Sequence, residues 1–465
     1  MSVPKVAQDL HLHRDHPSDD ATMDRPDGAS LLFVNQHYAP DVAATGQCLA
    51  DLAEYLVDVG YQVDVLAGHT RYDAGQVEAP AHEIRNGVRV RRVATTHFGR
   101  RTHLGRVVDY ASFYLAVLAR LLFGRRYDGV VFLTTPPLIA LAGRIARAFR
   151  GQRYGIWSMD LHPEAEIAAG MVAERSVAGR LLAWLDARAY RGADFVVDLG
   201  AYMRDRVLRK GVSAARSHTV NIWGGRLDLP PSNGTSAALT RPVELEDRFV
   251  VMYSGNAGIV HDFGAIFEAM RLLRDDPRIF FLFVGDGPRR REVEAFARRE
   301  SVHNFTYRDY FPRDFLCYSL AIADVHLISL RSQFVGISVP SKLYGAMASA
   351  RPILFVGPDR CETADAIRDV RCGVVVDPTE TGDVVAGRKI AQVLQGWADV
   401  RSAREELAAR GRCAYVERYD HRLSCSAFEH IVRSSWAAPP TAREDAACIE
   451  VRANSLLAPH RSTRS

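Results

Sequence analysis

The chain has 465 residues, 48% of them hydrophobic and 25% charged, with a formal net charge of +4. That length exceeds one ordinary core and predicts two domains of about 200 residues each, with the composition of a soluble globular protein. So small a positive charge, with no aromatic-interleaved basic repeat, argues against a nucleic-acid binder. Seven cysteines (Cys48, Cys317, Cys361, Cys372, Cys413, Cys425, Cys448) are dispersed without CxxC spacing. This predicts reduced thiols in a cytoplasmic compartment and no structural zinc.

Residues 1–29 carry His11, His13, His16 and many aspartates but no apolar core segment. They read as a disordered extension rather than a secretory signal or a metal site. From residue 30 a buried strand at 31–35 is followed by a helix at 47–59. Further strands are predicted at 62–66, 88–93, 129–133, 154–157 and 195–199, with helices at 104–123, 138–149 and 177–190. Strands alternating with helices of this length indicate a parallel sheet covered on both faces. At 225–245 the rhythm breaks at Pro230-Pro231, Ser232-Asn233-Gly234 and Pro242, as expected of a linker between domains. The alternation restarts with strands near 249–253, 280–284, 304–307, 325–329, 353–356 and 373–376. A long surface helix at 383–409 and a final helix at 421–436 precede a flexible tail at 437–465. No run approaches the ~20 apolar residues of a bilayer span. The expected organisation is therefore α/β: a doubly wound first domain at 30–224, a second at 246–420, and a ligand cleft between their facing strand ends.

Three segments of the second domain carry the most chemical information. Val250-Val251-Met252-Tyr253-Ser254-Gly255-Asn256 and Phe281-Leu282-Phe283-Val284-Gly285-Asp286-Gly287 are apolar runs that stop at glycine before a helical pattern. Such turns can face backbone amides and a helix N-terminus toward a phosphate. Neither is a dinucleotide fingerprint, because no Gly-x-Gly-x-x-Gly follows the strand. In Val339-Pro340-Ser341-Lys342-Leu343-Tyr344-Gly345 a proline and serine open a helix, so Lys342 falls in its first turn. A lysine there opposes the helix dipole unless an anion is present. In the first domain, Asn35-Gln36-His37-Tyr38-Ala39-Pro40 runs into Thr45-Gly46 at a helix start. Trp157-Ser158-Met159-Asp160-Leu161-His162-Pro163-Glu164 sends polar residues out of the cleft end of a buried strand. Asp160 or Glu164 could equally cap the helix that follows.

The order and wording of these segments resemble family 4 glycosyltransferases of the GT-B fold, two Rossmann-like parallel-sheet domains facing across a cleft. Within that family the likeness is to bacterial enzymes that build surface polysaccharides and glycolipids. It covers roughly Leu31 to the last helix, which in such enzymes crosses back onto the first domain. It implies a nucleotide-diphosphate sugar as co-substrate, no other cofactor, and a glycan or polyprenyl-linked acceptor. The sugar transferred would be of hexosyl or N-acetylhexosaminyl type, with retention of anomeric configuration. Asp160, His162 and Lys342 are the expected catalytic residues. Thr45, Gly46, Gly255, Asn256, Gly285, Gly287, Arg331, Ser341, Lys342 and Tyr344 are expected to bind the donor and its phosphates. His37, Thr134 and Asn221 are expected on the acceptor side. No Asp-x-Asp motif in suitable context appears, so no divalent metal is expected.

This chain also departs from the family. Where an arginine and then a lysine usually follow the first strand-end turn, it has Asn256 and His261-Asp262. Where the second of two glutamates stands, it has Gly345, and no acid occurs from 334 to 345. A nucleotide-sugar epimerase of the same fold, or a non-catalytic nucleotide-sugar-binding subunit, thus stays open. The segment 98–126 surrounds apolar residues with Arg100, Arg101, Arg106, Arg120, Arg125 and Arg126. It reads equally as a covering helix or as peripheral contact with an anionic membrane, on the inner face of the plasma membrane.

Overall fold

The computed structural model describes residues 28–41, 43–68, 79–93, 103–225, 241–242, 245–311 and 315–436, with backbone alone at 103–109. All but the last two residues of the expected extension, the tail, most of the linker, and Arg100 and Arg101 lie outside them. The first half contains β1 (Ser30–Val34), α1 (Ala44–Asp58), β2 (Gln62–Gly68), β3 (His82–Arg85), β4 (Val88–Val93), α2 (His103–Phe123) and β5 (Gly129–Leu133). It continues through α3 (Ala140–Arg150), β6 (Tyr154–Trp157), α4 (Glu164–Ala168), α5 (Val177–Gly192), β7 (Val196–Asp198), α6 (Ala201–Arg209) and β8 (Ser217–Thr219). The second half has β9 (Phe249–Ser254), α7 (Gly264–Leu273), β10 (Ile279–Val284), α8 (Arg290–Arg299), β11 (Phe305–Arg308), α9 (Leu316–Ala321) and β12 (Val325–Ser329). There follow α10 (Lys342–Ala348), β13 (Ile353–Val356), α11 (Glu362–Val370), β14 (Gly373–Val376), α12 (Pro378–Asp399), α13 (Arg401–Ala414) and α14 (His421–Trp436).

Two sheets result, ordered β3-β4-β2-β1-β5-β6-β7-β8 and β11-β10-β9-β12-β13-β14. Among the described strands of the two sheets, neighbours pair in parallel except β3 with β4. Strands such as β5, buried at every position, are near-continuous apolar runs, as a sheet covered on both faces requires. In each sheet the order reverses once, between β1 and β5 and between β9 and β12. Loops leaving neighbouring strands in opposite directions open a crevice at such a point. The two crevices face one another.

Two details differ from the sequence reading. Strand β3 was not expected, because its residues alternate between exposed and half-buried with no apolar run. It is held by the turn Asn86-Gly87, both at positive φ (49° and 80°), the backbone a two-residue hairpin demands. The single helix expected at 383–409 is two, broken at Val400 (φ −117°, ψ 93°). Buried Leu394 and Trp397 keep α12 on the second domain, while Gly411 and Ala414 bury the end of α13.

Helix α14 packs on the first sheet: the Phe428 ring lies 5.0 Å from that of Trp157 and 6.4 Å from that of Phe33. Trp436 Nε1 donates to Asp194 at 3.0 Å. Backbone also joins the two halves beside the cleft. Leu161 N donates to Ile337 O at 3.0 Å, and Asp160 forms a β-bridge with Ser338. Glu362 accepts from Met203 N at 2.9 Å, so a side chain of one half caps a helix of the other.

Candidate active site

The first-domain wall begins with the loop after β1. Asn35 Nδ2 donates to His37 O at 2.6 Å, His37 Nδ1 lies 2.7 Å from Asp41 Oδ2, and Asp41 Oδ1 accepts from Ala43 N at 3.0 Å. The buried guanidinium of Arg92 donates to Ala39 O at 2.7 Å. So clamped, the loop delivers His37 and Thr45 to the cleft. Gly46 lies beneath: a Cβ there would stand 3.1 Å from the carbonyl carbon of His37. At the end of β5, buried Thr134 uses its hydroxyl to accept from Met159 N and Asp160 N at 3.2 and 3.1 Å. Its neighbour Thr135 faces the cleft instead, as does Asp160.

His162 turns the other way. Its Nδ1 lies 2.8 Å from Glu166 Oε1. Burial pulls the imidazole pKa down, but the Glu166 carboxylate more than offsets this and raises it. Behind it, Lys210 Nζ is held by Asp186 at 2.6 Å and Glu164 at 2.7 Å. Burial lifts the Asp186 carboxyl to about 6 against the pull of Lys210. This ionic group braces the segment that carries Asp160.

The second-domain wall is the turn after β9 together with the start of α10. Lys342 Nζ donates to Asn256 O at 3.3 Å and to His261 Nε2 at 3.0 Å, and lies 4.9 Å from the Tyr253 ring centroid. Burial pushes the Lys342 amine down to about 7, a sign that no described residue gives its charge a counter-ion. Three of the backbone amides at the two turns are already engaged within the protein. Gly255 N donates to Val284 O and Gly285 N to Arg308 O, each at 2.8 Å, and Ala257 N to Asp286 O at 2.7 Å. The amides of Gly255, Gly285 and Ala257 are therefore not the ones that could meet an anion.

Between the walls lies a cleft of about 450 Å³, within the range of small-molecule sites. Of the residues singled out from sequence, His37, Thr45, Asp160, Gly255, Asn256, Ser341 and Lys342 line it together. Gly46, Thr134, His162, Asn221, Gly285, Gly287, Arg331 and Tyr344 do not. Tyr344 is buried and packs against Tyr419 at 5.2 Å, while Gly345 faces the cleft in its stead. Sequence reasoning missed the apolar side made by Tyr310, Phe311, Leu316, Leu320 and His326. These lie on the approach to α9, on α9 itself and on β12, and no motif marks them. In the segment that carries Asn221, where the chain leaves the first domain, it is Trp223 and Gly224 that line the cleft; a Cβ on Gly224 would meet Gly345 N at 2.5 Å. Among the described residues, no group of three or more His, Cys, Asp or Glu stands together to hold a metal ion.

The chain has recognisable relatives. Residues 44–223 match the family model described as a glycosyl transferase 4-like domain. The protein named "Probable glycosyltransferase WbjE" of Pseudomonas aeruginosa is 27% identical over 310 residues, 66% of this chain and 75% of that protein. WcaI of Escherichia coli (strain K12), provisionally named a colanic acid biosynthesis glycosyl transferase, is 24% identical over 390 residues, 78% of this chain and 92% of WcaI. In three dimensions the chain is similar to HepE of Anabaena, solved with UDP-glucose. The TM-score is 0.63 at 14% identity, covering 87% of this chain and 99% of HepE. Matched by the family model across most of its first domain, by bacterial relatives along most of its length and by a shared two-domain architecture, the chain has the GT-B fold and is similar to the family 4 glycosyltransferases.

Proposed function

We propose that the cleft transfers a hexosyl or N-acetylhexosaminyl group from a nucleotide-diphosphate sugar to a glycan or lipid-linked acceptor, with retention, in assembly of a bacterial surface polysaccharide or glycolipid. The observation that carries this is the withdrawn ammonium of Lys342, which has no anionic partner among the described residues and shares the cleft with Asp160 and Thr45 of the other domain. A diphosphate at Lys342 puts the anomeric carbon toward the first domain, where the acceptor hydroxyl meets it. The anomeric C–O bond breaks with its electron pair passing to the diphosphate, whose oxygen takes the acceptor proton. The acceptor oxygen bonds to carbon on the same face. Lys342 stabilises the charge gathering on the leaving group, the electrostatic contribution that commonly dominates such transfers. Asp160 contacts the acceptor or the transferred sugar. WcaI's name and the UDP-glucose held by HepE support the pathway and the donor class.

The lipid-linked acceptor gains support from α2. Phe113, Val117 and Leu121 bury one stripe of it on the first domain, while Leu115 (69% exposed) and Phe123 (86%) point outward beside exposed Arg125 and Arg126. No described helix is long and apolar enough to cross a membrane, so the contact proposed is peripheral. The test is incubation with UDP-, GDP- and dTDP-sugars and polyprenyl-diphosphate-linked acceptors in the presence of a chelator. Acceptor-dependent release of nucleoside diphosphate supports a metal-independent transfer. Isomerised donor without acceptor, or saturable binding without product, overturns it. Co-sedimentation with phosphatidylglycerol vesicles but not with neutral ones is the expected membrane result.

A further inference from the structure

An ammonium has three protons to give, and two of those on Lys342 are spent inside the protein, on Asn256 O and on His261 Nε2. The third has no partner among the described residues and is left for the cleft, which Gly255, Asn256, Ser341 and Lys342 itself line. That His261 receives and does not give is fixed by its other nitrogen. Nδ1 lies 2.6 Å from Ser329 O, a carbonyl that can only accept, so Nδ1 carries the proton and Nε2 presents a lone pair. The ring is buried, and Lys342, Arg289 and Arg331 surround it with positive charge. Both influences oppose its protonation. Tyr253 completes the cage, with its ring beneath the ammonium and its hydroxyl donating to Asn256 O at 3.0 Å.

We infer that His261 is a positioning residue: held in one tautomer by Ser329, it aims the single free N–H of Lys342 at the donor diphosphate. The inference rests on the proposed diphosphate site. A histidine replaces the lysine that the family resemblance leads one to expect near this position, and it acts through Lys342 rather than on the phosphate.

The experiment uses the full-length protein, with UDP, GDP and dTDP as calorimetric probes. His261→Asn keeps an amide near Nδ1 for Ser329 but withdraws the acceptor from Lys342. His261→Gln returns an amide oxygen near the Nε2 position. His261→Asn is expected to weaken the best-bound nucleotide about 10-fold, and His261→Gln to recover most of that loss. In a double-mutant cycle, His261→Asn should add nothing once Lys342→Met is in place. Additive losses, or unchanged binding in His261→Asn, overturn the inference while leaving the diphosphate site intact. Unchanged binding in Lys342→Met overturns the site itself. Should His261→Asn not fold, ¹⁵N chemical shifts of histidine-labelled wild-type protein decide. Nδ1 protonated with Nε2 bare is the expected tautomer, and the reverse sinks the idea.

Discussion

The turns that end β9 and β10 look alike in sequence, each an apolar run halted by glycine, yet the molecule uses them differently. Gly255-Asn256 lines the cleft and cradles Lys342. Gly285-Asp286-Gly287 stands one strand further out and buttresses the first turn. A Cβ on Gly285 would lie 2.4 Å from Gly255 O, and one on Gly287 would lie 2.4 Å from Asn256 Oδ1. Asp286 O holds the amide of Ala257. What separates them is place in the sheet. Strand β9 borders the reversal in strand order, whereas β10 is flanked by β9 and β11. Glycine at a strand end is thus a permission for close approach, and topology decides whether a ligand or another turn takes it up.

Several substitutions can break or sharpen this contrast. The largest effect is expected from Lys342→Met. If the first turn and Lys342 form one anion site, nucleoside-diphosphate affinity falls about 100-fold, the scale of a hydrogen bond from a charged group. Thermal stability should hold or rise, because a poorly compensated buried amine has been removed; retained affinity would break the contrast. Across the cleft, Asp160→Asn should lower turnover about 100-fold while leaving nucleotide affinity nearly unchanged. A binding module would show no such split.

Next come the glycines themselves. Gly285→Ala meets backbone at 2.4 Å and sits at φ +132°, so denaturant unfolding should register a loss of about 3 kcal/mol. Gly255→Ala meets the flexible side chain of Lys342, its Cε at 3.0 Å, at φ +121°. It should cost about 1–2 kcal/mol from backbone strain alone but weaken the nucleotide about 10-fold by displacing the lysine. Equal stability losses would mean that the two turns are equivalent after all.

The smallest effect is a proton. Burial holds the free Lys342 amine near 7, below its ordinary 10.5. A bound diphosphate favours the ammonium, so the protein takes up a proton on binding at a pH above that value. Affinity should accordingly decline as pH rises from about 7.5 to about 9, where the ligand's own charge no longer changes. Calorimetry in buffers of different ionisation enthalpy reads the uptake directly, approaching one proton at the upper end. No uptake would remove Lys342 from the phosphate.

The strands, the alternation and the two-sheet architecture were legible because buried parallel strands are written as apolar runs bounded by turns. Hairpin strand β3 was not, since its polar residues owe their place to Asn86-Gly87 and to pairing with β4. In the cleft, Asp160 and Lys342 could be named because each is the wrong residue for its local setting, an acid leaving a buried strand and a lysine opposing a helix dipole. His162 shows the limit of that argument. It stands two residues from Asp160 in the same polar segment, but Glu166, one helical turn on, claims its ring. Thr134 and Thr135 repeat the lesson, as neighbours on an extended chain point to opposite sides.

The amino-acid sequence alone determined where most strands and helices form, since periodicity and turn chemistry are local properties. It also marked the few residues whose chemistry conflicts with a purely structural role. Only the tertiary structure decided which of them meet. Contacts such as Lys342 with His261, Gly224 with Gly345 and Asp160 with Ser338 join positions 81 to 178 residues apart. The apolar side formed by Tyr310, Phe311, Leu316 and Leu320 exists as a surface only once the two reversals in strand order face each other.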